Sequence, residues 1–308
     1  MRRQGAGVNN QASAANSCPH ASILTPLSCV RRDAAAKLSA ARIENPRAEC
    51  DWLLCHVLNC TQTQLLLMSD IQPKAQSNFE KLLLRRINGE PVQYILGQWD
   101  FCGLPFYVGD GVLIPRPETE ILARRAIEIA REIQTPVVVD LCAGTGCIGL
   151  TVAKNIPNAK VYLVEKSPEA FTYLKRNQES LNTQNAILIQ GDILTDAFSQ
   201  IPKCNLILSN PPYIPKNELP ALQREVQREP AMALEGGIDG LLFYRAIAEK
   251  WAKHVKPGGV ILLELGDGQY KDVSPMFLTQ GFNVKAIPDD AGHLRVLEAL
   301  QNTIPQQL

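Results

Sequence analysis

From Pro136 onward the chain alternates between two rhythms. Short, nearly unbroken apolar runs ("VVVDL", "KVYLVE", "AILIQGD", "NLILSN" and "GVILLELG") are separated by longer segments of mixed polarity. A strand without polar alternation is buried on both faces, as in a parallel sheet covered by helices. The last two β-prone runs, "FNVKAIPD" and "LRVLEAL", have no helix-length segment between them. They are expected to pair antiparallel and to put a reversed element at the sheet edge. The pattern predicts an α/β fold around a mostly parallel sheet of seven strands.

Residues 29–97 follow a helical rhythm, with no strand runs. "VRRDAAAKLSAARI" is rich in helix formers. "NPRAECDWLLCHVLN" offers Asn45 as N-cap and Pro46 at the first helical position. "KAQSNFEKLLLRRINGEP" sets Phe79, Leu82, Leu83 and Ile87 on one face and stops at Gly89 and Pro91. This predicts a small helical domain. Residues 98–115 ("QWDFCGLPFYVGDGVLIP") are aromatic and β-prone, punctuated by Gly-Leu-Pro and Gly-Asp-Gly, and read as a hairpin linker. Residues 116–308 form the α/β domain. Its first helix is expected to open at Pro117, with Glu118 and Glu120 in the first turn, where the helix dipole favours anions. Residues 1–28 are small, polar and free of acids, and are expected to be a disordered tail or an over-extended start. An acid-poor organelle transit peptide is the alternative.

Composition narrows the function classes. Lys plus Arg and Asp plus Glu number 31 each in 308 residues, so the net charge is zero. A protein whose main partner is a phosphate backbone carries excess base, so no direct nucleic-acid binding is expected. No apolar run reaches the roughly 18 residues of a membrane span. The nine cysteines include no Cys-x-x-Cys pair, and Cys50, Cys55 and Cys60 lack zinc-ligand spacing. No metal is expected. Reduced thiols and a cytoplasmic setting are, and so is a monomer.

Candidate chemistry sits at four strand ends. In "VVVDLCAGTGCIGLTVA" a strand ends at Asp140, a loop carries Gly144 and Gly146, and a helix starts near Cys147. The glycines allow a tight turn and a close backbone approach to a ligand. Gly149 adds a partial match to the dinucleotide-binding signature, while Gly-Lys-Ser/Thr is absent, so this is not a phosphate P-loop. An ordinary strand–helix turn would also carry such glycines. In "VYLVEKS", Glu165 ends the next strand and can accept both hydroxyls of a ribose; a solvated loop acid is the plain alternative. In "ILIQGDIL", Asp192 followed by Ile193 offers an acid and an apolar wall to an adenine, though a turn aspartate would look the same. Three acids on one sheet edge repel a pyrophosphate and suit a cationic, phosphate-free adenosine cofactor, S-adenosylmethionine.

The fourth strand end is "NLILSNPPYIP". Two prolines cannot continue a ladder, so the strand stops abruptly at Asn210. The Asn210 side-chain oxygen and the Pro211 carbonyl can take the two hydrogens of a planar NH₂ group and aim its nitrogen at a methyl donor. Tyr213 can lie against the substrate's flat face. Pro211 and Pro212 stiffen the arrangement, so little ordering entropy is lost. The bland alternative is a strand ending in a turn.

With these residues the chain resembles the class I amino-methyltransferases that carry Asn-Pro-Pro-Tyr. It is most similar to their HemK/PrmC branch, the peptide chain release factor N5-glutamine methyltransferases. The stretches that carry the resemblance are "RRINGEPVQYILG", "VLIPRPETE", "DLCAGTGCIGL", "SNPPYIP", "EPAMALEGGIDGL" and "AGHLRV", in one order over nearly everything after residue 29. The resemblance implies a class I S-adenosylmethionine-dependent fold. It implies methyl transfer to the glutamine of the Gly-Gly-Gln loop in class 1 release factors, supporting translation termination. The implied cofactor residues are Asp140, Cys142, Ala143, Gly144, Thr145, Gly146, Glu165, Asp192, Ile193 and Asn210. The implied catalytic residues are Asn210, Pro211 and Tyr213. Substrate would be held by these three with Pro212, Arg116 and Glu118, and the helical domain would grip the release factor. Cys142 stands where the family usually has glycine, and Glu165 where it usually has aspartate. A ribosomal-protein glutamine methyltransferase, an adenine-N6 DNA methyltransferase, an rRNA amino-methyltransferase and a non-enzymatic cofactor-binding scaffold are the competing readings.

Overall fold

The structure is a computed structural model that describes residues 24–195 and 200–302. Most of the expected N-terminal tail, residues 1–23, therefore lies outside the described residues. The chain divides into two compact units between Leu83 and Leu84.

The first unit holds β1 (Thr25–Pro26), α1 (Leu27–Ala40), α2 (Pro46–Leu58), α3 (Gln62–Leu66), β2 (Asp70–Ile71) and most of α4 (Pro73–Ile87). Regular structure thus begins before residue 29, the expected boundary. Leu27, Val30, Ala34 and Leu38 recur every three or four residues and form the buried stripe of α1. Arg31 forks onto Asp51 at 2.8 and 2.6 Å, which ties α1 to α2. Thr61 and Gln64 close a reciprocal capping box on α3. Contrary to expectation the unit contains strand: β1 and β2 pair over two residues each. Such a run is too short to leave an alternation in the sequence.

The second unit continues with α5 (Val92–Leu96), β3 (Gln98–Phe101), β4 (Leu104–Tyr107), α6 (Thr119–Arg131), β5 (Val137–Leu141) and α7 (Cys147–Asn155). Then come β6 (Lys160–Glu165), α8 (Pro168–Leu181), β7 (Ala186–Gln190), β8 (Cys204–Ser209), α9 (Leu242–Ala246), β9 (Val255–Glu264), α10 (Tyr270–Leu278), β10 (Phe282–Pro288) and β11 (Leu294–Gln301). Residues 84–97, expected in the helical domain, cluster with this unit. The buried Arg86 side chain meets Glu225 at 2.9 Å, and Arg224 donates to the Asn88 carbonyl at 2.7 Å.

Seven strands form one sheet in the order β10-β11-β9-β8-β5-β6-β7, parallel from β9 through β7. The reversed strand is β11, which pairs antiparallel with both β9 and β10. It lies one place in from the edge rather than at the edge. The crossover through α10 carries β10 past one strand position, and the short return of β11 fills that gap on both sides. Helix α6 starts at Thr119, two residues later than expected, with Glu118 at its N-cap. Thr119, Glu120 and Ile121 donate to Arg116, Pro117 and Glu118, a tight i→i−3 turn that precedes the α-helical rungs.

The hairpin β3–β4 turns on Cys102 (φ 52°) and Gly103 (φ 74°), the left-handed pair that suits a two-residue loop. It is more than a linker. Phe101 and Phe106 meet edge to face at 6.1 Å, fully buried in the core shared by α6, α7 and the sheet. Asn177 on α8 accepts from the Tyr107 N–H at 2.7 Å and donates to the Tyr107 carbonyl at 3.1 Å, adding the hairpin as if it faced another strand.

Candidate active site

The carboxyl ends of β5, β6, β7 and β8 open onto one cleft, with about 880 Å³ of empty space including its open mouth. Its floor is the loop after β5. Gly144 (φ 57°) and Gly146 (φ 81°) take left-handed conformations there, and so does Cys142 (φ 60°), where a side chain costs strain. Gly144, Gly146 and Gly149 stand at full Gly-x-Gly-x-x-Gly spacing, so the match is more complete than the sequence reading gave it. Asp140 lies beneath the loop. Its Oδ2 accepts the Gly149 N–H at 2.8 Å and holds the start of α7, while Oδ1 is buried without a partner. Burial pushes this carboxyl up to about 7, with the Gly149 N–H opposing and the Glu165 charge adding to the rise.

Glu165 braces the same loop from the side. One oxygen accepts Gly144 N–H at 2.8 Å and the other Ser167 N–H at 2.7 Å. The Lys166 N–H is a third backbone donor to this carboxylate, which retains acceptor capacity for a ligand hydroxyl. Burial raises the Glu165 pKa against these backbone donors. Asp192 is paired with Lys166 at 2.8 Å and accepts Leu194 N–H at 2.9 Å. Burial alone would push it up, but Lys166 and the backbone donor hold it below the ordinary carboxylate value.

At the end of β8, Asn210 lines the cleft and donates its Nδ2 to Thr119 Oγ1 at 3.3 Å. Thr119 in turn donates to Glu264 Oε2 at 2.5 Å. The prolines after Asn210 are buried, and the segment 231–242 braces them. Ile214 and Gly236 exchange backbone bonds with Leu234 and Ile214 at 2.9 and 2.8 Å. A side chain at Gly236 would meet the Tyr213 Cα at 2.7 Å and the Pro212 carbonyl at 2.8 Å, so only glycine allows this approach. Gln269 donates to the Tyr213 carbonyl at 3.0 Å. The stretch "EPAMALEGGIDGL" thus buttresses the Asn-Pro-Pro-Tyr tip.

Of the residues singled out in the sequence, Cys142, Ala143, Gly144, Thr145, Glu165, Asp192, Ile193, Asn210 and Pro212 line the cleft. Asp140 and Gly146 support the loop from behind. Pro211, Tyr213, Arg116 and Glu118 are not among the described lining residues. The Tyr213 ring packs beside Gly266, and burial raises its phenol pKa. Arg116 forms a close ion pair with buried Glu229, which also accepts the Ile114 N–H at 3.0 Å. This clasp joins the Pro-Arg-Pro-Glu-Thr segment to the segment opposite. The sequence reading missed Thr119, Phe243 and Met232 in the lining and Glu264 behind Asn210. Glu264 left one signal, a lone acid inside an apolar run.

A sheet of this strand order, with a glycine loop after its central strand and acids at the next two strand tips, defines a class I Rossmann-like methyltransferase. Residues 30–97 match the family model of the PrmC N-terminal domain, and residues 119–238 that of the methyltransferase small domain. The release factor glutamine methyltransferase of Thermodesulfovibrio yellowstonii is 39% identical over 81% of this chain and 90% of its own. That of Geobacter sulfurreducens is 40% identical over 80% and 86%. A solved protein-(glutamine-N5) methyltransferase (release factor-specific) from Alicyclobacillus acidocaldarius is 27% identical over 64% of this chain and 99% of its own, with a TM-score of 0.41. The chain belongs to the release factor glutamine methyltransferase family.

Proposed function

We propose that this protein transfers a methyl group from S-adenosylmethionine to the side-chain amide nitrogen of the Gly-Gly-Gln glutamine in class 1 peptide chain release factors. The observation that carries the reading is Asn210. Its Nδ2 donates to Thr119, which turns the NH₂ side toward the threonine and leaves Oδ1 free to accept at the cleft. Family membership supplies the substrate class.

The residues present fit the cofactor. Glu165 and Asp192 give the cleft anionic partners for ribose and adenine, with Ile193 as apolar wall. Lys166, the basic side chain among the described lining residues, is already paired with Asp192. Such a cleft favours a cation over a pyrophosphate. When bound, S-adenosylmethionine supplies an activated methyl on a sulfonium.

An amide nitrogen is a poor nucleophile because its lone pair is delocalised into the carbonyl. Asn210 Oδ1 and the Pro211 carbonyl would accept its two hydrogens and orient its nitrogen toward the methyl donor. They also favour the form in which nitrogen gains positive charge as the N–C bond forms. The nitrogen, acidic once it carries the methyl, would release one proton to water. Tyr213, Arg116 and Glu118 shape the site around Asn210. The expected setting is a monomeric cytoplasmic protein that acts on a protein substrate without holding nucleic acid. Among the described residues no helix is long and apolar enough to cross a membrane.

The test is transfer of labelled methyl to a purified class 1 release factor, with a control whose Gly-Gly-Gln glutamine is replaced by alanine. Label on that glutamine and none on the control is the expected result. No label on either, with cofactor still bound, overturns the reading and points to a ribosomal protein or a nucleic acid. Asn210→Ala is expected to lower turnover by about 100-fold or more while the cofactor Kd stays within about threefold.

A further inference from the structure

We propose that Thr119 and Glu264 are positioning residues that fix which face of the Asn210 amide meets the methyl acceptor. The inference rests on the functional reading above. Its basis is a directional chain of hydrogen bonds in a buried place. Glu264 Oε2 accepts from Thr119 Oγ1 at 2.5 Å, and Thr119 Oγ1 accepts from Asn210 Nδ2 at 3.3 Å. Thr119 is 1% exposed and Glu264 3%, so water does not compete for these groups.

A hydroxyl has one hydrogen. Once Thr119 gives it to the Glu264 carboxylate, its oxygen can only accept. Only the NH₂ side of Asn210 can then face Thr119, and Oδ1 is turned to the cleft. Without this constraint an asparagine amide can rotate and present NH₂ to a substrate that also carries NH₂. Two donors then face each other and the glutamine nitrogen is no longer held. Asn210 touches the substrate; Thr119 and Glu264 act through it.

The relay has a charge state. A protonated Glu264 is itself a donor toward Thr119 and frees the threonine hydrogen to point at the Asn210 carbonyl, which is the reverse polarity. Burial pushes the Glu264 carboxyl up to about 7; the Thr119 bond opposes this, Glu118 adds to the rise, and Arg295 and Arg116 oppose it. The remaining groups that face it are Tyr213 and Cys147, whose ionisation Glu264 disfavours, and Tyr244, whose hydroxyl donates to the Glu264 carbonyl at 2.8 Å. The carboxylate is the working form, so turnover should rise with pH through about 7.

The experiment measures kcat, KM and cofactor Kd for the full chain, Thr119→Val, Thr119→Ser and Glu264→Gln between pH 5.5 and about 8.5, a span chosen to bracket the titration. Thr119→Val is expected to lose roughly 10- to 100-fold in kcat, with cofactor Kd within about threefold. Thr119→Ser, which keeps the hydroxyl, should restore turnover to within about threefold of wild type. Glu264→Gln should lose the acid limb of the kcat profile. That limb distinguishes Glu264 from Asp140, which is also pushed to about 7 but sits under the glycine loop.

A second readout needs no substrate. The side-chain NH₂ resonances of Asn210, assigned by their loss in Asn210→Ser, should shift with pH around 7 in the wild type and not in Glu264→Gln. Wild-type kcat in Thr119→Val, an acid limb surviving in Glu264→Gln, or Asn210 resonances indifferent to pH would each overturn the relay. Failure of the wild type to methylate the glutamine would overturn the functional reading instead, and the resonance titration would still decide the relay.

Discussion

At the scale of single residues, Cys142 stands at φ 60° in the loop under the cleft. A β-branched side chain is least tolerated in that conformation. Cys142→Val is therefore expected to destabilise by about 1–3 kcal/mol, read as a lower urea midpoint. Cys142→Gly removes the strain but also a half-buried thiol, and should fall within about 1 kcal/mol of wild type. Asp140 gives a pH prediction. Its folded pKa, pushed by burial to about 7, lies above the unfolded value. Its favourable contribution is therefore present below about pH 4 and is lost as pH rises through 7. Asp140→Asn keeps an acceptor for Gly149 and has no charge to bury. The loss of stability between pH 5 and 8 should shrink by about 1–3 kcal/mol in denaturation of the cofactor-free protein. An unchanged pH dependence would show that Asp140 ionises freely in the folded state. Asn210, Glu165 and Asp192 were legible in the sequence because each ends an apolar run. Thr119 was not, because its role exists only where the start of α6 meets the end of β9.

At the scale of elements, the hairpin β3–β4 and the glycine loop share one side chain. Asn177 on α8, fully buried, bonds both backbone groups of Tyr107 and donates to the Thr145 carbonyl at 2.9 Å. Leucine there keeps the volume and leaves three backbone groups unsatisfied. Asn177→Leu is expected to cost about 2–4 kcal/mol and to loosen the loop, so that the cofactor Kd also rises. A Kd unchanged in a folded Asn177→Leu protein would separate the hairpin from the cofactor site. The strands were legible from their unbroken apolar runs, and their edges came within a few residues. The hairpin's packing was not, because an alternating aromatic stretch looks the same whether its apolar face meets a partner domain or the local core. The reversed strand was expected one place too far out. Pairing of the last two runs follows from the short connection between them, but not which of the two inserts beside β9.

At the scale of the whole molecule, everything that holds the proposed cofactor lies in residues 84–308, while the PrmC N-terminal match runs over residues 30–97. The family boundary and the structural boundary differ because residues 84–97 are tied into the second unit by the pair Arg86–Glu225 and the Arg224–Asn88 bond. The shift from helical to strand rhythm near residue 97 was legible; the anchoring was not, since its partners lie more than 130 residues away in the chain. This division makes a prediction about labour within the molecule. A chain beginning at Leu84 keeps Arg86, the clasp of Arg116 on Glu229, and the whole cleft. It should bind S-adenosylmethionine within about threefold of the full chain by calorimetry, because no lining residue is removed. If the first unit grips the release factor, the same truncated chain should lose about 10-fold or more in kcat/KM on the intact factor, equivalent to about 1.4 kcal/mol of lost contact. On a short peptide containing Gly-Gly-Gln and nothing else of the factor, the two chains should be nearly equal. A truncated chain that methylates the intact factor at the full rate would leave the first unit without a part in substrate recognition, and the whole of specificity would then reside around Asn210.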